Sequence, residues 1–414
     1  MDDCGRSPVK LLFINTRSSV GADVAVHLQL IENFTAEQCK VFITSNTQAS
    51  DYSKTMTRLR RVRDCIVIPM NLGYEISGKG RLTKLLNALR NIVVLVIAVI
   101  RLSVFVKRNG IEVLHSTDRP RDALVLLWLR RLSGAKAVVH VHIKWYPQIG
   151  AITQRALESA DCVLAISQFV RRSLEEGGVS PQKIAVAYNS TDTSKFDPAR
   201  FRRGAFRESL GIDSTIPLIG IVARIMFWKG HVELIEALAE LRKRIPNVRL
   251  AIVGSDDSRA SSGRESYRDR IRQRARELRV EDAIHWVGWR DDMPQVFLDL
   301  DVVCVPSWEE PFGLVVTEAM AMERVVVGFQ SGALPEIIED GVDGYLVPFK
   351  EIAEMADRIA FLLENKAVAR EMGRKARKKV QTNFNPSMQA AEITRIYRNM
   401  LAQKPMMEIE SRSV

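Results

Sequence analysis

The sequence predicts an α/β protein made of two doubly wound domains, each with a parallel sheet. Three observations predict this class. Short apolar runs alternate with helical patterns along the chain, the series restarts after Pro217, and 414 residues exceed the size of one ordinary domain. Repeated strand–helix units form a parallel sheet covered by helices on both faces. Two series of such units therefore predict two domains of this kind.

Seven strand candidates precede residue 190, and six follow Pro217. The first series is KLLFIN, CKVFIT, DCIVIP, EVLHS, AVVHVHI, CVLAIS and KIAVAY. The second series is LIGIVAR, VRLAIVG, IHWVG, DVVCVPS, RVVVGF and GYLVP. Stretches such as HVELIEALAELRKR and GLVVTEAMAM separate most of these runs and show apolar residues at helical spacing.

A polar stretch near residues 195–215, marked by Gly and Pro, carries no strand pattern and is the expected seam. We assign residues 1–200 to an N-terminal domain and 201–385 to a C-terminal domain. The helical pattern at 386–402 is expected to cross back to the N-terminal domain, and 403–414 to form a loose tail. Ligands of open parallel sheets bind at the carboxyl ends of strands. These edges of the two domains are expected to face each other across a cleft.

Composition excludes several classes of protein. With 46% hydrophobic and 26% charged residues, the chain is an average globular protein rather than a disordered, collagen-like or coiled-coil one. Its five cysteines are odd in number and never closely spaced, which argues against a disulfide framework and predicts a cytoplasmic protein. The N-terminus starts acidic and reaches only a short apolar stretch, unlike a signal peptide.

The net charge of +11 is concentrated in one segment, since Lys54–Arg108 holds twelve Lys and Arg against two acidic residues. Its second half, Arg81–Arg108, has a helical pattern whose longest apolar run, Ile92–Ile100, has nine residues. As a helix this run spans about 14 Å, too little for a hydrocarbon core of about 30 Å. Three interpretations are open for this segment: a core helix with solvated basic ends, a cationic face resting on an anionic membrane, or a segment that binds nucleic acid. Nucleic acid is not an expected partner because the segment is aliphatic and lacks interleaved aromatic residues.

In the stretch SWEEPFGLVVTEAMAM, the carboxylates of Glu310 and Glu318 lie on either side of the point where a helix begins near Gly313. A helix N-terminus offers free backbone N–H groups and a positive dipole end, which suit an anion. Carboxylates accept hydrogen bonds from hydroxyls, so the pair suits a polyhydroxy ligand. The alternative is an acidic first turn that complements the helix dipole.

Two cations follow the first strand of the second series. Arg224 ends the strand and Lys229 lies five residues later, directly before Gly230 and a helix. A guanidinium and an ammonium on such a loop can neutralise a diphosphate. A solvated basic loop is the alternative.

Two further patterns raise the question of a metal. His140 and His142 lie on one face of a strand, but no third or fourth ligand follows at a suitable place, so no metal site is predicted. His27, His115, His231 and His285 are interpreted as structural. Asp299 and Asp301 spell D-x-D, yet they enter a strand rather than leave it, which favours a structural role.

Taken in order, these stretches resemble the retaining group-one glycosyltransferases of family four, which have the GT-B fold of two Rossmann-like domains. The resemblance runs from about Val9 to Leu401 and is most specific at E-x7-E (Glu310, Glu318) and at R-x4-K-G (Arg224, Lys229). Further matches are ADCVLAIS, YNSTD, IVGSDD, WVGWRDDM, SGALPEIIEDGVDGYLVP and MGRKARKKVQTNF.

The resemblance implies roles in donor binding. Arg224 and Lys229 would hold the donor diphosphate, and Glu318 the ribose hydroxyls. Glu310 would contact the donor sugar, assisted by three backbone N–H groups, those of Phe312, Gly313 and Leu314. The loop Trp286–Arg290 would frame the base, although Arg290 could equally be a surface charge.

The resemblance also assigns His142 to the site of the donor sugar and acceptor, and Gly21 to a glycine loop that a phosphate or acceptor approaches. Val20 stands where the family usually has a second glycine, which puts the path of that loop in doubt. Glu323 and Val325 replace a usual Gly and Pro, changes that look structural.

The implied activity is transfer of a sugar, with retained anomeric configuration, from a nucleotide-diphosphate sugar to a saccharide or lipid-linked acceptor. The donor would bind the C-terminal domain and the acceptor the N-terminal one, without a metal or other cofactor. Cell-surface polysaccharide or lipopolysaccharide synthesis in a bacterium, on the inner face of the plasma membrane, fits the basic segment. The alternatives are a GT-B nucleotide-sugar epimerase or phosphorylase, and a non-catalytic protein that binds an anionic polymer.

Overall fold

The computed structural model describes residues 7–16, 22–48, 56–57, 65–73, 81–256 and 266–403. Side chains are not described for residues 22–23 and 81–89. The chain forms two compact units, one of residues up to Asn189 with the segment from Pro386, the other of Ser190–Asn385. The stretch 190–200, which the sequence assigns to the N-terminal domain, groups with the second unit, where the Thr191 amide donates to the Phe384 carbonyl at 2.8 Å.

The first unit contains a seven-stranded parallel sheet in the order β3-β2-β1-β4-β5-β6-β7. Its strands are β1 Val9–Ile14, β2 Cys39–Asn46, β3 Cys65–Met70, β4 Val113–Thr117, β5 Lys136–Val141, β6 Cys162–Ala165 and β7 Ile184–Val186. Its α-helices are Ala22–Asn33, Arg81–Asn109, Pro120–Ser133, Ala151–Ser159, Gln168–Glu176 and Pro386–Leu401. The last of these helices buries Ile393 and Tyr397 in the core of the first unit.

The second unit contains a six-stranded parallel sheet in the order β10-β9-β8-β11-β12-β13. Its strands are β8 Leu218–Val222, β9 Arg249–Val253, β10 Ile284–Gly288, β11 Val302–Val305, β12 Val325–Phe329 and β13 Tyr345–Val347. Its α-helices are Ala205–Ser209, His231–Arg244, Tyr267–Glu277, Met293–Asp299, Leu314–Ala321, Leu334–Ile337, Ile352–Glu364 and Lys366–Asn383. The strand order reverses between β8 and β11, which places the topological switch point there.

All thirteen strands fall on the predicted apolar runs, and the doubly wound α/β class is confirmed for both units. The runs are continuous rather than alternating because helices cover both faces of each sheet. In β11 all four residues are buried. The helix His231–Arg244 buries Leu234, Leu238 and Leu241 in the core that β11 also lines.

The helix Arg81–Asn109 has two different apolar faces. One face buries Leu95, Val99, Leu102 and Val106, as a core helix does. The opposite face exposes an apolar stripe, namely Ile92, Val93, Val96, Ile97, Ile100 and Val104, each between 38% and 60% exposed. A core helix with solvated basic ends therefore describes only one side of this element. Among the helices that the structure describes, none has the length and apolarity needed to cross a bilayer.

The turn before β12 is strained at one of the positions where the sequence departs from the family pattern. Glu323 has a φ of 58°, in the left-handed region that favours glycine. The same turn is closely packed, because a Cβ added to Gly373 would lie 2.2 Å from the Glu323 carbonyl oxygen. A Gly at position 323 would therefore adopt this backbone without strain.

Candidate active site

The loops that follow β8 and β11 meet at the switch point of the second sheet. Lys229 ends the short 3-10 turn Phe227–Lys229, and Glu310 lies in the loop after β11. The Nζ atom of Lys229 lies 2.6 Å from Oε2 of Glu310, and the two side chains are only 18% and 14% exposed. The structure thus joins in one ion pair two residues that the sequence analysis placed in separate motifs.

Backbone contacts fix the position of this pair. The Trp308 amide donates to the Trp228 carbonyl at 2.8 Å, which ties the two loops together. Gly230 has a φ of 74°, and a Cβ added there would lie 1.8 Å from the carbonyl oxygen of Pro306. Only glycine fits this approach, so the Gly in the K-G motif brings Lys229 against the end of β11.

The loop after β12 supports Glu310 from another side. The Ala333 amide donates to the Glu310 carbonyl at 2.8 Å. A Cβ added to Gly332 would lie 2.4 Å from the Glu310 amide nitrogen, so a side chain cannot be accommodated there. These contacts give the SGALPE stretch, which the sequence analysis matched without a role, a structural function in holding the Glu310 backbone.

The helix Leu314–Ala321 begins next to Glu310. Gly313 has a φ of 106° and caps its N-terminus, and the Glu310 Cγ atom lies 3.4 Å from the position of a Cβ at Gly313. Phe312 is buried and its ring lies 5.9 Å from that of Phe384. The positive end of the helix dipole therefore adjoins the ion pair, together with the N–H groups of the first turn, beginning at Leu314.

Glu318 lies inside the same helix with a perturbed carboxyl group. Burial raises its pKa to about 7, and the Lys195 ammonium opposes this shift. Among the described residues no side chain or backbone group forms a hydrogen bond with this carboxyl. Glu318 is half-buried. A carboxylate without hydrogen-bond donors from the protein is suited to accept hydrogen bonds from the hydroxyls of a ligand.

The two arginines of the predicted site have different surroundings. Arg224 is exposed and follows β8, at the same strand edge as the ion pair. Arg290 forms a two-pronged ion pair with Asp292, with nitrogen–oxygen distances of 2.7 and 2.5 Å, which raises its pKa. The observed partner of Arg290 is thus a neighbouring carboxylate.

The loop Trp286–Arg290, which the resemblance places around the base, begins with a tryptophan that contacts two arginines. The guanidinium groups of Arg268 and Arg272 lie over the Trp286 ring, at 5.5 and 5.2 Å from its centre.

Two predicted site residues belong to the first unit. His142 directly follows β5 and is half-buried, and its Nε2 atom lies 3.3 Å from Nε2 of His27. Gly21 lies outside the described residues, as does its neighbour Val20.

The D-x-D pair is engaged within the protein. Asp299 accepts hydrogen bonds from the Gly204 and Phe206 amides, each at 2.7 Å. Asp301 accepts from the Arg207 guanidinium and the Leu218 amide, each at 2.8 Å. Both carboxylates lie at the amino end of β11, at the opposite end of that strand from Glu310. Their bonds agree with the structural role inferred from the sequence.

Three residues near the site were not identified from the sequence. The Trp308 indole donates to Oε1 of Glu233 at 2.7 Å, which anchors the loop that carries Glu310. Lys195 lies near enough to Glu318 to affect its pKa. Trp308 stands within the recognised S-x-x-E stretch, but spacing alone gives no reason to expect Glu233 or Lys195 beside it.

Two family models match the chain in order. The model for Glycosyltransferase Family 4 matches residues 29–195, and the model for Glycosyl transferases group 1 matches residues 202–379. Together they extend over most of both units, and the second spans the loops just described.

The chain belongs to the group 1, family 4 glycosyltransferases. A D-inositol 3-phosphate glycosyltransferase of Corynebacterium aurimucosum is 32% identical over 253 residues, which are 60% of this chain and 59% of that protein. The chain therefore matches about three fifths of the length of this relative.

Solved glycosyltransferase structures share the fold. Anabaena HepE (Alr3699) in complex with UDP superposes with a TM-score of 0.75 at 19% identity, covering 94% of this chain and 100% of that one. Sucrose-phosphate synthase from Thermosynechococcus elongatus gives 0.74 at 24% identity, covering 96% and 100%. At these identities the likeness identifies the GT-B fold.

Proposed function

We propose that this member of the family is a retaining glycosyltransferase that moves a sugar from a nucleotide-diphosphate sugar to a saccharide or lipid-linked acceptor. The observation that carries the proposal is the Lys229–Glu310 ion pair at the switch point, beside the N-terminus of the helix Leu314–Ala321. A cation, a carboxylate and free backbone N–H groups in one place match the phosphate and hydroxyl groups of such a donor.

The ion pair gives a specific binding step. The donor diphosphate takes over the ammonium of Lys229, and Arg224 adds a second cation. This exchange leaves the Glu310 carboxylate to accept hydrogen bonds from the hydroxyls of the donor sugar. Glu310 thereby holds Lys229 in place before the donor arrives and contacts the sugar afterwards.

Glu318 binds the ribose hydroxyls in this proposal, because its carboxyl is half-buried, has a raised pKa and lacks a hydrogen-bond partner among the described residues. HepE, which has the same fold, holds UDP in its crystal structure. UDP-sugars are therefore the first donors to test. GDP- and ADP-sugars should be tested as well, because the side chains of the described site do not indicate which nucleotide base the protein prefers.

Transfer proceeds by attack on the face that the diphosphate leaves. The bond from the anomeric carbon to the diphosphate oxygen breaks while the acceptor oxygen bonds to the same face. The departing diphosphate oxygen takes the proton of the acceptor hydroxyl. Arg224, Lys229 and the helix N-terminus stabilise the negative charge that develops on the leaving group. No step requires a metal ion.

The acceptor binds the N-terminal domain, where the resemblance assigns His142 and Gly21. The exposed apolar stripe of the helix Arg81–Asn109 and its exposed basic residues Arg90, Arg101, Lys107 and Arg108 support an anionic membrane surface as partner. This helix contains no acidic residue. We therefore infer a lipid-linked acceptor at the inner face of a plasma membrane, and a role in the synthesis of cell-surface polysaccharide or lipopolysaccharide.

The test measures release of nucleoside diphosphate from UDP-, GDP- and ADP-sugars, with bacterial lipid extract or inositol 3-phosphate as the acceptor source. We expect release from one donor class, stimulated by lipid and lost in Lys229→Ala and Glu310→Ala. The NMR coupling of the anomeric proton in the product should match that in the donor. Inversion would contradict the retaining mechanism. Release that persists in both variants would contradict the proposed site.

A further inference from the structure

Four of the six histidines lie together in the first unit. His27 is carried by the helix Ala22–Asn33, His115 by β4 and His140 by β5, and His142 follows β5. His115 and His140 are completely buried, His27 is 5% exposed, and His142 is half-buried. Their ring centres lie between 4.3 and 5.3 Å apart where they contact one another.

The ring nitrogens form a chain of close contacts. Nδ1 of His140 lies 3.3 Å from Nε2 of His115 and 3.3 Å from Nε2 of His27. Nε2 of His27 in turn lies 3.3 Å from Nε2 of His142. At the far end, Nδ1 of His115 is hydrogen-bonded to the Tyr397 hydroxyl.

Hydrogen bonds alone do not satisfy these contacts. A nitrogen of a neutral imidazole carries either one hydrogen or one lone pair, so it forms one bond in the ring plane. Along a chain of four nitrogens, at most two of the three contacts can therefore be hydrogen bonds at once. In addition, Nε2 of His140 is buried without a partner. Incompletely satisfied polar clusters in a core are costly.

We propose that His27, His140 and His142 bind one first-row transition metal ion, with zinc as the favoured ion. One ring nitrogen from each of these three residues lies within 4.8 Å of the others. Zinc–nitrogen bonds of about 2.1 Å place tetrahedral ligands about 3.4 Å apart. Two of the nitrogen pairs have this spacing, at 3.3 Å each, and the third pair lies within 4.8 Å.

The ligand chemistry selects the class of ion. Neutral imidazoles suit zinc, copper or nickel, whereas magnesium and calcium require oxygen ligands. The described part of this cluster holds no carboxylate ligand. His115, held by Tyr397, contacts the same Nδ1 atom of His140 at 3.3 Å, so an ion bound there replaces this contact. His142 is half-buried, so solvent can reach it and would supply a water molecule as the fourth ligand.

The sequence analysis identified only the His140–His142 pair because His27 lies more than a hundred residues away and reaches the pair through the fold. An ion here would fix the ring of His142 and join the helix Ala22–Asn33 to β5. The three proposed ligands all belong to the first unit, whereas Lys229, Glu310 and Glu318 belong to the second. Binding of the ion does not depend on the proposed transfer activity.

The test uses full-length protein without a histidine tag, freed of metal and titrated with Co²⁺ as a spectroscopic substitute for zinc. We expect about one tightly bound cobalt per chain, with the intense visible absorption of a tetrahedral nitrogen site, displaced by Zn²⁺. His27→Ala should lose this absorption, while His285→Ala, a histidine on β10 outside the cluster, should retain it.

Circular dichroism of each variant separates loss of the site from loss of the fold. The wild-type spectrum provides a measurement that does not depend on any variant folding. Folded wild-type protein that shows no tetrahedral cobalt absorption and retains no zinc after gel filtration would overturn the proposal. Equal cobalt binding by wild type and a folded His27→Ala variant would also overturn it.

Discussion

Nζ of Lys229 lies 2.6 Å from the Glu310 carboxylate, with both side chains largely buried at the switch point of the second sheet. One residue comes from the loop after β8 and the other from the loop after β11. Their ion pair couples the group proposed to hold the diphosphate to the group proposed to contact the sugar.

Replacing Lys229 by Ala should remove most activity and also lower stability. The change leaves the largely buried Glu310 carboxylate without its partner, at a cost of about 1–3 kcal/mol. Loss of one charge-stabilising group lowers turnover by about 10²–10³-fold. Thermal melts and release of nucleoside diphosphate measure the two effects separately.

The double variant Lys229→Ala/Glu310→Ala should regain part of the stability but none of the activity, because it removes the unpaired charge. Lys243→Ala is the control, since Lys243 pairs with Glu240 on the surface and is 70% exposed. Full activity in Lys229→Ala, or equal loss in Lys243→Ala, would refute the role of the pair.

Donor binding should strengthen as pH rises through 7, because the hydroxyls of the ribose bind the ionised form of Glu318 and its pKa is about 7. Below that pH the carboxyl must lose a proton on binding. Affinity for UDP, measured by calorimetry between pH 6 and 8, should rise by up to about tenfold more in wild type than in Glu318→Gln. The variant corrects for titration of the nucleotide itself. Parallel pH profiles would show that Glu318 does not contact the donor.

The same carboxyl should make the apoprotein less stable at high pH. Its pKa is raised from 4.5 to about 7 in the folded state, so the folded protein binds more protons than the unfolded chain between these values. This contribution to stability falls as pH rises through that range and is at its lowest above 7. Glu318→Gln should therefore raise the melting temperature at pH 8 relative to wild type, and by much less at pH 4.5. A lower melting temperature at pH 8 would contradict the assignment.

Vesicles that contain phosphatidylglycerol should bind wild-type protein through the apolar stripe of the helix Arg81–Asn109. Val104→Glu places a charge in that stripe and should weaken binding by about tenfold or more. Val368→Glu is a matched control, since Val368 lies on the helix Lys366–Asn383 and is 41% exposed against 43% for Val104. Equal vesicle binding by Val104→Glu and Val368→Glu would show that the apolar stripe does not contact the membrane.

Replacing Glu323 by Gly should stabilise the protein by about 1 kcal/mol or less, because it relieves a left-handed backbone at φ 58°. Urea unfolding compares it with Glu323→Ala, which keeps the strain. Equal stability of the Gly and Ala variants would show that the strain is not significant.

Turnover should not require added Mg²⁺ or Mn²⁺. Asp299 and Asp301, the D-x-D pair that could hold such an ion, are bonded to backbone and to Arg207 at the opposite end of β11 from Glu310. Initial rates with and without each ion measure this directly. A rate that depends on added Mg²⁺ would require ligands other than these two aspartates.

The sequence predicted the fold in detail because continuous apolar strands and amphipathic helices leave strong local signals, as at Val302–Val305 and His231–Arg244. It also placed Glu310 and Lys229 in loops that follow strands, as the structure has them. The sequence could not show that Lys229 and Glu310, 81 positions apart, are in contact, because the contact depends on β8 and β11 lying side by side in the sheet.

Other contacts were missed for similar reasons. His27 contacts His140 although the two residues are 113 positions apart, and the spacing of histidines along the sequence does not predict this contact. The exposure of the apolar stripe on the helix Arg81–Asn109 was also not predicted, since an apolar helical pattern does not show which face the fold covers. For Arg290, the sequence left two interpretations, and only side-chain geometry shows its pairing with Asp292.

The central claim is that the strand-end loops of the second unit bind a nucleoside diphosphate through Lys229. Calorimetric titration of UDP, with GDP and ADP in parallel, into wild-type and Lys229→Ala protein tests it most directly. We predict saturable binding of one nucleotide to the wild type and at least about tenfold weaker binding to a folded Lys229→Ala variant. Equal affinity in the two proteins, or no binding of any of the three to folded wild type, would contradict the account.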